Sequence, residues 1–422
     1  MTHTNIARRV VVLGGGIAGL LAAAALAPRH DSILIVERDL LPTGPLHRRG
    51  VPQGRHVHAM LPRGLQAAEE LLPGFTDRLV AAGALRGDIS ADTRWYLNGR
   101  RLRAARSGLT AVSGSRALIE HTARELVRQL PNVRFLDGYD IVGMGTDGAG
   151  HRVVRVTSRH GDGSRVLPAG LVVDATGRGS RMPQWLAELG LTPPEEEVVT
   201  IDLRYSTRIF ADDGRFGTDV VAVTARYDDH RRSSVVQRLE GGRILVTLAG
   251  VRGEVPPTGL DDFLRYAESL PVPDTADVVR GATPIGDAAT FRIPAYVRRR
   301  YERAEVPEGI VVIGDAACAF NPIYGQGMSV AALSALALRD GEDGYFARQA
   351  EALEAPWALA TGNDLGGSPQ IRALQLAACD DDELAVAFLR VTALVDPPSA
   401  LGPLLGRPPA QRLPNPAMNA VG

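Results

Sequence analysis

The stretch from Arg9 to Glu37 leaves few folds open to this chain. Residues 9–13 form a β-branched run of strand length, and residues 14–19 read Gly-Gly-Gly-Ile-Ala-Gly. Residues 20–27 are helix formers, and residues 32–36 are a second apolar run that ends at Glu37. A rival reading uses the same residues. No charge occurs from Val10 to Ala27, Arg8 and Arg9 precede them, and Ala25-Leu26-Ala27 has the small-residue pattern of a leader cleavage site. Against a secretory leader or a membrane span, three consecutive glycines would weaken the middle of a continuous helix by roughly 1 kcal/mol each. A strand–turn–helix–strand unit accounts for every part of the stretch.

In that unit Gly14, Gly16 and Gly19 stand as G-x-G-x-x-G. Gly14 permits the tight turn, Gly16 lets the backbone approach a pyrophosphate, and Gly19 lets helix and strand pack closely. The helix opening at Ile17 and Ala18 offers unpaired N–H groups and partial positive charge to phosphates. Glu37 follows Gly14 by 23 residues, where an acid can hydrogen-bond a ribose hydroxyl, with Arg38 beside it. This is a dinucleotide-binding signature. By itself it does not separate FAD from NAD.

Two further motifs choose between them. Residues 309–313 read as a buried strand running into Gly314-Asp315-Ala316-Ala317. Cys318-Ala319-Phe320-Asn321-Pro322-Ile323-Tyr324-Gly325-Gln326-Gly327-Met328 follows, then an apolar helix over residues 329–338. A glycine-rich helix N-terminus of this kind suits reduced flavin, which is negative near N1. Between the two ends, Leu171-Val172-Val173-Asp174-Ala175-Thr176-Gly177 is a strand ending in a polar turn. The three motifs together resemble those of the flavoprotein monooxygenases related to para-hydroxybenzoate hydroxylase. The resemblance covers most of residues 8–360 and looks closest to bacterial secondary-metabolite flavoproteins. Those include polyether-type olefin epoxidases and FAD-bound, non-redox cyclases.

The resemblance implies that Gly314 and Asp315 meet the ribityl chain of FAD. It implies that Pro322, Gly325, Gln326, Gly327 and Met328 lie against the pyrimidine edge of the flavin. Asp174 and Gly177 would serve flavin and nicotinamide binding, and Arg55 and Arg116 would each bring a guanidinium to the FAD. Ala175 follows Asp174 where the family usually has glycine, and Cys318 and Ser329 stand where many relatives have histidine and asparagine. These departures bear on nicotinamide use rather than on FAD binding. Cys318 is expected to be a small buried residue rather than an attachment point.

Composition removes other chemistries. The chain has 422 residues, 45% of them hydrophobic, enough for a large core. Its net charge of -1 gives no electrostatic reason to expect nucleic acid or an anionic membrane as partner. Two cysteines, Cys318 and Cys379, exclude a disulfide scaffold, a four-thiolate zinc site and a cysteine-ligated iron–sulfur cluster; no metal is expected. All 47 basic residues are arginine, so Schiff-base chemistry on lysine is excluded.

The expected fold is α/β: a Rossmann-type FAD-binding domain with an inserted antiparallel β-sheet substrate domain and C-terminal helices. Because three motifs must meet at one cofactor, the FAD domain is discontinuous, over residues 1–75, 106–185 and 296–340. The substrate domain takes residues 76–105 and 186–295, with strands at 198–210, 219–226, 234–239 and 243–249. Residues 95–100 add a hairpin, and a helix runs from Ser115 to Leu130. Residues 341–422 form a helical segment (345–360, 370–379, 383–394) and a proline-rich tail. The arginine clusters at Arg100, Arg101, Arg103 and at Arg298, Arg299, Arg300, Arg303 read as solvated faces rather than phosphate sites.

The resemblance implies an FAD-dependent monooxygenase. NAD(P)H would reduce the flavin, and O2 would give a flavin hydroperoxide that epoxidises or hydroxylates an apolar, polyketide-like intermediate. The alternative is an FAD-bound cyclase acting by shape; a non-catalytic dinucleotide-binding module leaves the β-rich insert unexplained. No base constellation stands out. Tyr205, Tyr227, His56 and His58 are candidates, and Phe320, Asn321 and Tyr324 are expected to line the pocket beside the flavin. The expected partners are a small apolar substrate and O2, in the cytoplasm, without stable membrane association; the oligomeric state is left open.

Overall fold

The computed structural model describes residues 6–161, 163–225, 230–364 and 369–405. Tyr227 and tail residues 406–422 lie outside them.

Five apolar strands form one parallel sheet in the order Ile310–Val312, Leu171–Asp174, Arg9–Leu13, Ser32–Glu37, Val133–Asp137. Successive side chains point to opposite faces. Val10 and Val12 pack with the helices Ile17–Leu26, Pro62–Leu71, Arg116–Arg128 and Gly327–Arg339. Val11 and Leu13 pack on the other face with Met144, Val154, Val156 and Trp185. That second face is covered by a three-stranded antiparallel sheet, Tyr139–Thr146, Arg152–Ser158 and Ser164–Ala169. Both faces are therefore buried, as a parallel sheet requires.

A second, eight-stranded sheet runs Cys318–Ala319, Pro284–Arg299, Glu196–Ala211, Arg243–Gly250, Arg232–Leu239, Val221–Thr224, Thr93–Leu97, Arg100–Arg101. Neighbours are antiparallel except Val221–Thr224 beside Thr93–Leu97. One face packs Phe210, Ala222, Val236 and Val246 on the helices Leu260–Glu268 and Asp274–Val279. The alternate positions, Tyr205, Val223, Val235 and Thr247, turn to an internal cavity. The architecture is thus mixed α/β, a Rossmann-type parallel sheet joined to an antiparallel one.

Pro284–Arg299 is a 16-residue strand that runs straight across residue 296, where the sequence placed a boundary. It carries two prolines and mostly exposed residues in its first half, so it has no hydrophobic period to read. Pairing along Glu196–Ala211, not side-chain pattern, makes it a strand.

The reading of the arginine clusters as solvated faces holds for the exposed Arg100, Arg101, Arg103 and Arg303 and is corrected for Arg298, Arg299 and Arg300. Arg298 is 1% exposed and pairs with Glu354 at 2.9 Å. Arg299 pairs with Glu196, Arg300 with Glu197 and Arg303 with Glu195, so the 195–197 acids and this arginine run stitch two strands together. Arg100 and Arg103 pair with Asp380 and Asp382, at 2.7 Å each, and Asn98 donates to Gln375 at 2.8 Å. These bonds dock the helices Pro369–Ala378 and Asp382–Thr392 against the 93–101 hairpin. No helix among the described residues is long and apolar enough to cross a membrane, and none of their acid, histidine and cysteine groups forms a metal-holding cluster.

Candidate functional site

Ligands of open parallel sheets bind outside the carboxyl ends of the strands. Here those ends, after Leu13, Glu37, Asp174 and Val312, open into a cavity of about 1350 Å³. That exceeds the roughly 300–1,000 Å³ of a usual single-ligand pocket. The cavity continues between the large sheet and the C-terminal helices, so it has a motif-lined end and a second chamber.

The motif-lined end gathers Gly14, Gly16, Ile17, Ala18, Glu37 and Arg38 with Arg116, Gly177, Gly314, Asp315 and the loop Pro322, Gly325, Gln326, Gly327, Met328. Gly14 adopts φ +103°, and a Cβ there would meet Ala175 O at 2.6 Å. A Cβ on Gly19 would lie 1.9 Å from Gly14 O, so Gly19 does not line the cavity but lets the helix seat on the turn. At Gly16 a Cβ would meet nothing within 4 Å, and the helix behind it has no side-chain cap. Open space before an uncapped helix start suits a pyrophosphate.

Glu37 is held rigidly. Its Oε2 accepts from Gly15 N at 2.8 Å and its Oε1 from Asp39 N at 3.0 Å. Arg48 reaches Glu37 and Asp39 at 3.2 Å each and donates to Glu120 at 2.6 Å. Arg116 sits 3.0 Å from Glu120, lines the cavity and leaves a buried Nη1 without a partner. Burial tends to raise the Glu120 carboxyl pKa, but Arg116 and Arg48 hold it below the usual range. Burial pulls the Arg116 pKa downward, and Arg48 adds to this. A buried cationic donor lacking a partner is costly unless an anion meets it. Gln326, before the uncapped helix Gly327–Arg339, likewise has a buried Oε1 with no partner. The residues present therefore fit FAD.

Three residues expected at the cofactor or pocket lie outside the cavity lining. Arg55 is exposed and lies outside the main cavity, because the turn Pro52–Arg55 points it outward; Arg48 holds the interior position instead. Asp174 is fully buried and does not line the cavity: it accepts from Thr176 N, Thr176 Oγ1 and Ser180 Oγ, so it shapes the loop that does. Burial pushes its carboxyl pKa upward. Asn321 is also turned away, its Oδ1 accepting from Ile323 N and its Nδ2 donating to Asp364. Cys318 is buried with Tyr296, Phe320 and Trp357, outside the cavity lining. Ser329 Oγ accepts from Leu61 N, and a Cβ on Gly64 would lie 2.4 Å from Ser329 Cα; the helices here are too close for a larger side chain.

Phe320 and Tyr324 line the cavity, as do Tyr205, His56 and His58. The His56 ring is 5.7 Å from both Tyr205 and Phe291 and bonds Thr207 Oγ1 at 2.8 Å, which in turn bonds Thr247 Oγ1 at 2.8 Å. Burial, then Arg55, pulls the His56 pKa down to about 4. Burial and Arg116 pull His58 to about 3. Both are neutral at pH 7. Burial raises the Tyr205 phenol pKa, and its hydroxyl is buried without a partner, so it is a free donor rather than a base. The outer chamber is walled mostly by apolar groups such as Trp95, Val221, Val223, Ile293, Leu359 and Phe388, with Gln237, Arg252, Arg372 and Gln375 among them.

A family model described as FAD dependent oxidoreductase matches residues 9–189. Protein Rv3254 of Mycobacterium tuberculosis is 35% identical over 348 residues, 78% of this chain and 72% of that protein. Among solved structures, p-nitrophenol 4-monooxygenase PnpA from Pseudomonas putida superposes with a TM-score of 0.63 at 20% identity, over 92% of this chain and 95% of that one. The Diels-Alderase PyrE3 of pyrroindomycin biosynthesis superposes with a TM-score of 0.64 at 16% identity, over 92% of this chain and 81% of that one. At such identities the two structures speak to the fold.

Proposed function

This chain belongs to the FAD-dependent oxidoreductases, and we propose that it is a monooxygenase that uses NAD(P)H and O2 to epoxidise or hydroxylate a largely apolar small molecule, a polyketide-like biosynthetic intermediate. The observation that carries this reading is one continuous cavity with the three motifs at one end and a mostly apolar chamber at the other. Bound FAD supplies the redox chemistry: two electrons from NAD(P)H let one atom of O2 enter the substrate and the other leave as water.

The protein's own contributions follow from the walls. The first helix start and Arg116 would neutralise the phosphates of bound FAD, and Glu37, clamped by Arg48, would meet its ribose. The loop 322–327 and the uncapped helix after it would offer positive partial charge to a reduced flavin. The chamber walls exclude water and restrict the substrate's approach to the flavin. Neutral His56 and His58 and protonated Tyr205 provide hydrogen bonds without a strong base, which suits an alkene better than a phenol that must be deprotonated.

The same lack of a charged base favours one second reading, an FAD-bound cyclase that closes a ring by shape. The two separate on anaerobic addition of NADPH, with NADH as control, followed at the visible flavin band. Bleaching, together with O2 consumption coupled to product, is the expected result. A band that stays oxidised with candidate alkenes and phenols present would abandon the monooxygenase for the cyclase.

A further inference from the structure

The helix Tyr345–Asp364 carries a carboxylate, Asp364, whose two partners lie in the loop that precedes the helix Gly327–Arg339. Its Oδ1 accepts from the Tyr324 phenol at 2.8 Å, and its Oδ2 accepts from Asn321 Nδ2 at 2.8 Å. Bonds to an ionised acceptor are about twice as strong as neutral ones.

Tyr324 ends the short turn Pro322–Tyr324, and Asn321 precedes it. Asn321 caps it through Ile323 N at 3.1 Å, and Gly325, at φ +66°, closes it just before the helix Gly327–Arg339. One carboxylate thus grips the entrance and the exit of the turn. Tyr324 and Gly325 to Met328 line the FAD end of the cavity, while Leu359 and Asn363, from the same helix as Asp364, line the outer chamber. The charge of Asp364 is also felt at the Tyr205 phenol.

We propose that Asp364 is a positioning residue that couples the chamber to the flavin. Through Tyr324 and Asn321 it sets the height of the turn under the flavin's pyrimidine edge and aims the Tyr324 ring along the chamber wall. The premises are that FAD binds and that its flavin lies at the loop 322–327, so failure of the oxygen-transfer reaction leaves the coupling standing.

Asp364→Asn removes the charge from both bonds, and its NH2 group must face either the NH2 of Asn321 or the Tyr324 hydroxyl, which then has to accept instead of donate. Asn321 cannot turn over without giving up Ile323 N. The double variant Asn321→Asp/Asp364→Asn restores the pattern, because the carboxylate at 321 accepts from Ile323 N and from the new amide. The measurements are FAD titration of the apoprotein and the visible spectrum of the bound flavin, with far-UV circular dichroism to confirm folding. Asp364→Asn is expected to raise the FAD Kd about tenfold and to shift the flavin band, and the double variant to return within about twofold of the parent. A single variant with the parental Kd and band overturns the proposal. So does a double variant no better than the single. If Asp364→Asn fails to fold, Tyr324→Phe, which deletes only the phenol's bond, is expected to raise the Kd about threefold; no change there overturns it equally.

Discussion

At the motif-lined end of the cavity, buried charges and bare backbone amides do the holding; at the chamber end, mostly neutral side chains do. Arg48, Arg116, Arg124, Glu37, Asp39 and Glu120 are all buried around the first end. The opposite wall offers valines, aromatic rings, two neutral histidines and a protonated tyrosine. The difference follows from what each must bind. A phosphate-bearing cofactor is recognised by fixed charge and dipoles, and the low dielectric makes each pair strong but intolerant of loss. A largely apolar substrate is recognised by shape, and its wall tolerates change more readily.

The largest expected effect falls on the charged end. Arg48→Met leaves Glu37, Asp39 and Glu120 without their shared partner, and should destabilise the protein by about 3–5 kcal/mol in urea unfolding and abolish FAD retention. Parental stability in this variant would break the contrast outright. Next comes acid. His56 has its folded pKa lowered to about 4, below the unfolded value near 6.5, so the unfolded state binds the extra proton first. Stability is then full above about pH 6.5 and falls as the pH drops, by on the order of 3 kcal/mol at pH 4. Thermal melts from pH 7 to pH 4 should show this slope added to a similar one from His58, and His56→Gln should remove its own share of about half. An unchanged slope would mean that His56 is not the neutral wall described.

A smaller change is expected within the chamber. Val223→Trp fills space on the wall while leaving the charged end alone. Substrate KM should rise about tenfold, roughly 1.4 kcal/mol, with the FAD Kd unmoved. A matching loss of FAD affinity would show that the two ends are not separable. The smallest effect belongs to the exterior: Arg103→Ala removes an exposed pair with Asp382 and should alter stability by less than about 0.5 kcal/mol, read as an unshifted urea midpoint.

Some of this was legible in the chain. Gly14, Gly16 and Gly19 could be assigned different roles because each role is a backbone requirement, and backbone requirements are local. The strands at 9–13 and 171–174 were visible as apolar runs for the same reason. Arg48 was not, since one arginine among 47 looks like any other until the turn Pro52–Arg55 sends Arg55 outward and leaves Arg48 inside. Asp364 was hidden by a separation of 40 residues from Tyr324, bridged only by packing. Pro284–Arg299 gave no periodic signal because its partner strand, not a buried face, stabilises its first half.

The amino-acid order alone determined the dinucleotide turn, the three-motif cofactor cradle, the α/β class and the absence of lysine chemistry. All of these rest on residue types at short spacing, where conformational freedom and covalent geometry decide. Tertiary structure alone decided which arginines line the cavity, that Asp174 and Asn321 brace loops instead of lining it, and that the histidines are neutral. Those depend on burial and on partners far apart in the chain, and desolvation and pairing arise only when the sheets and helices have closed around them.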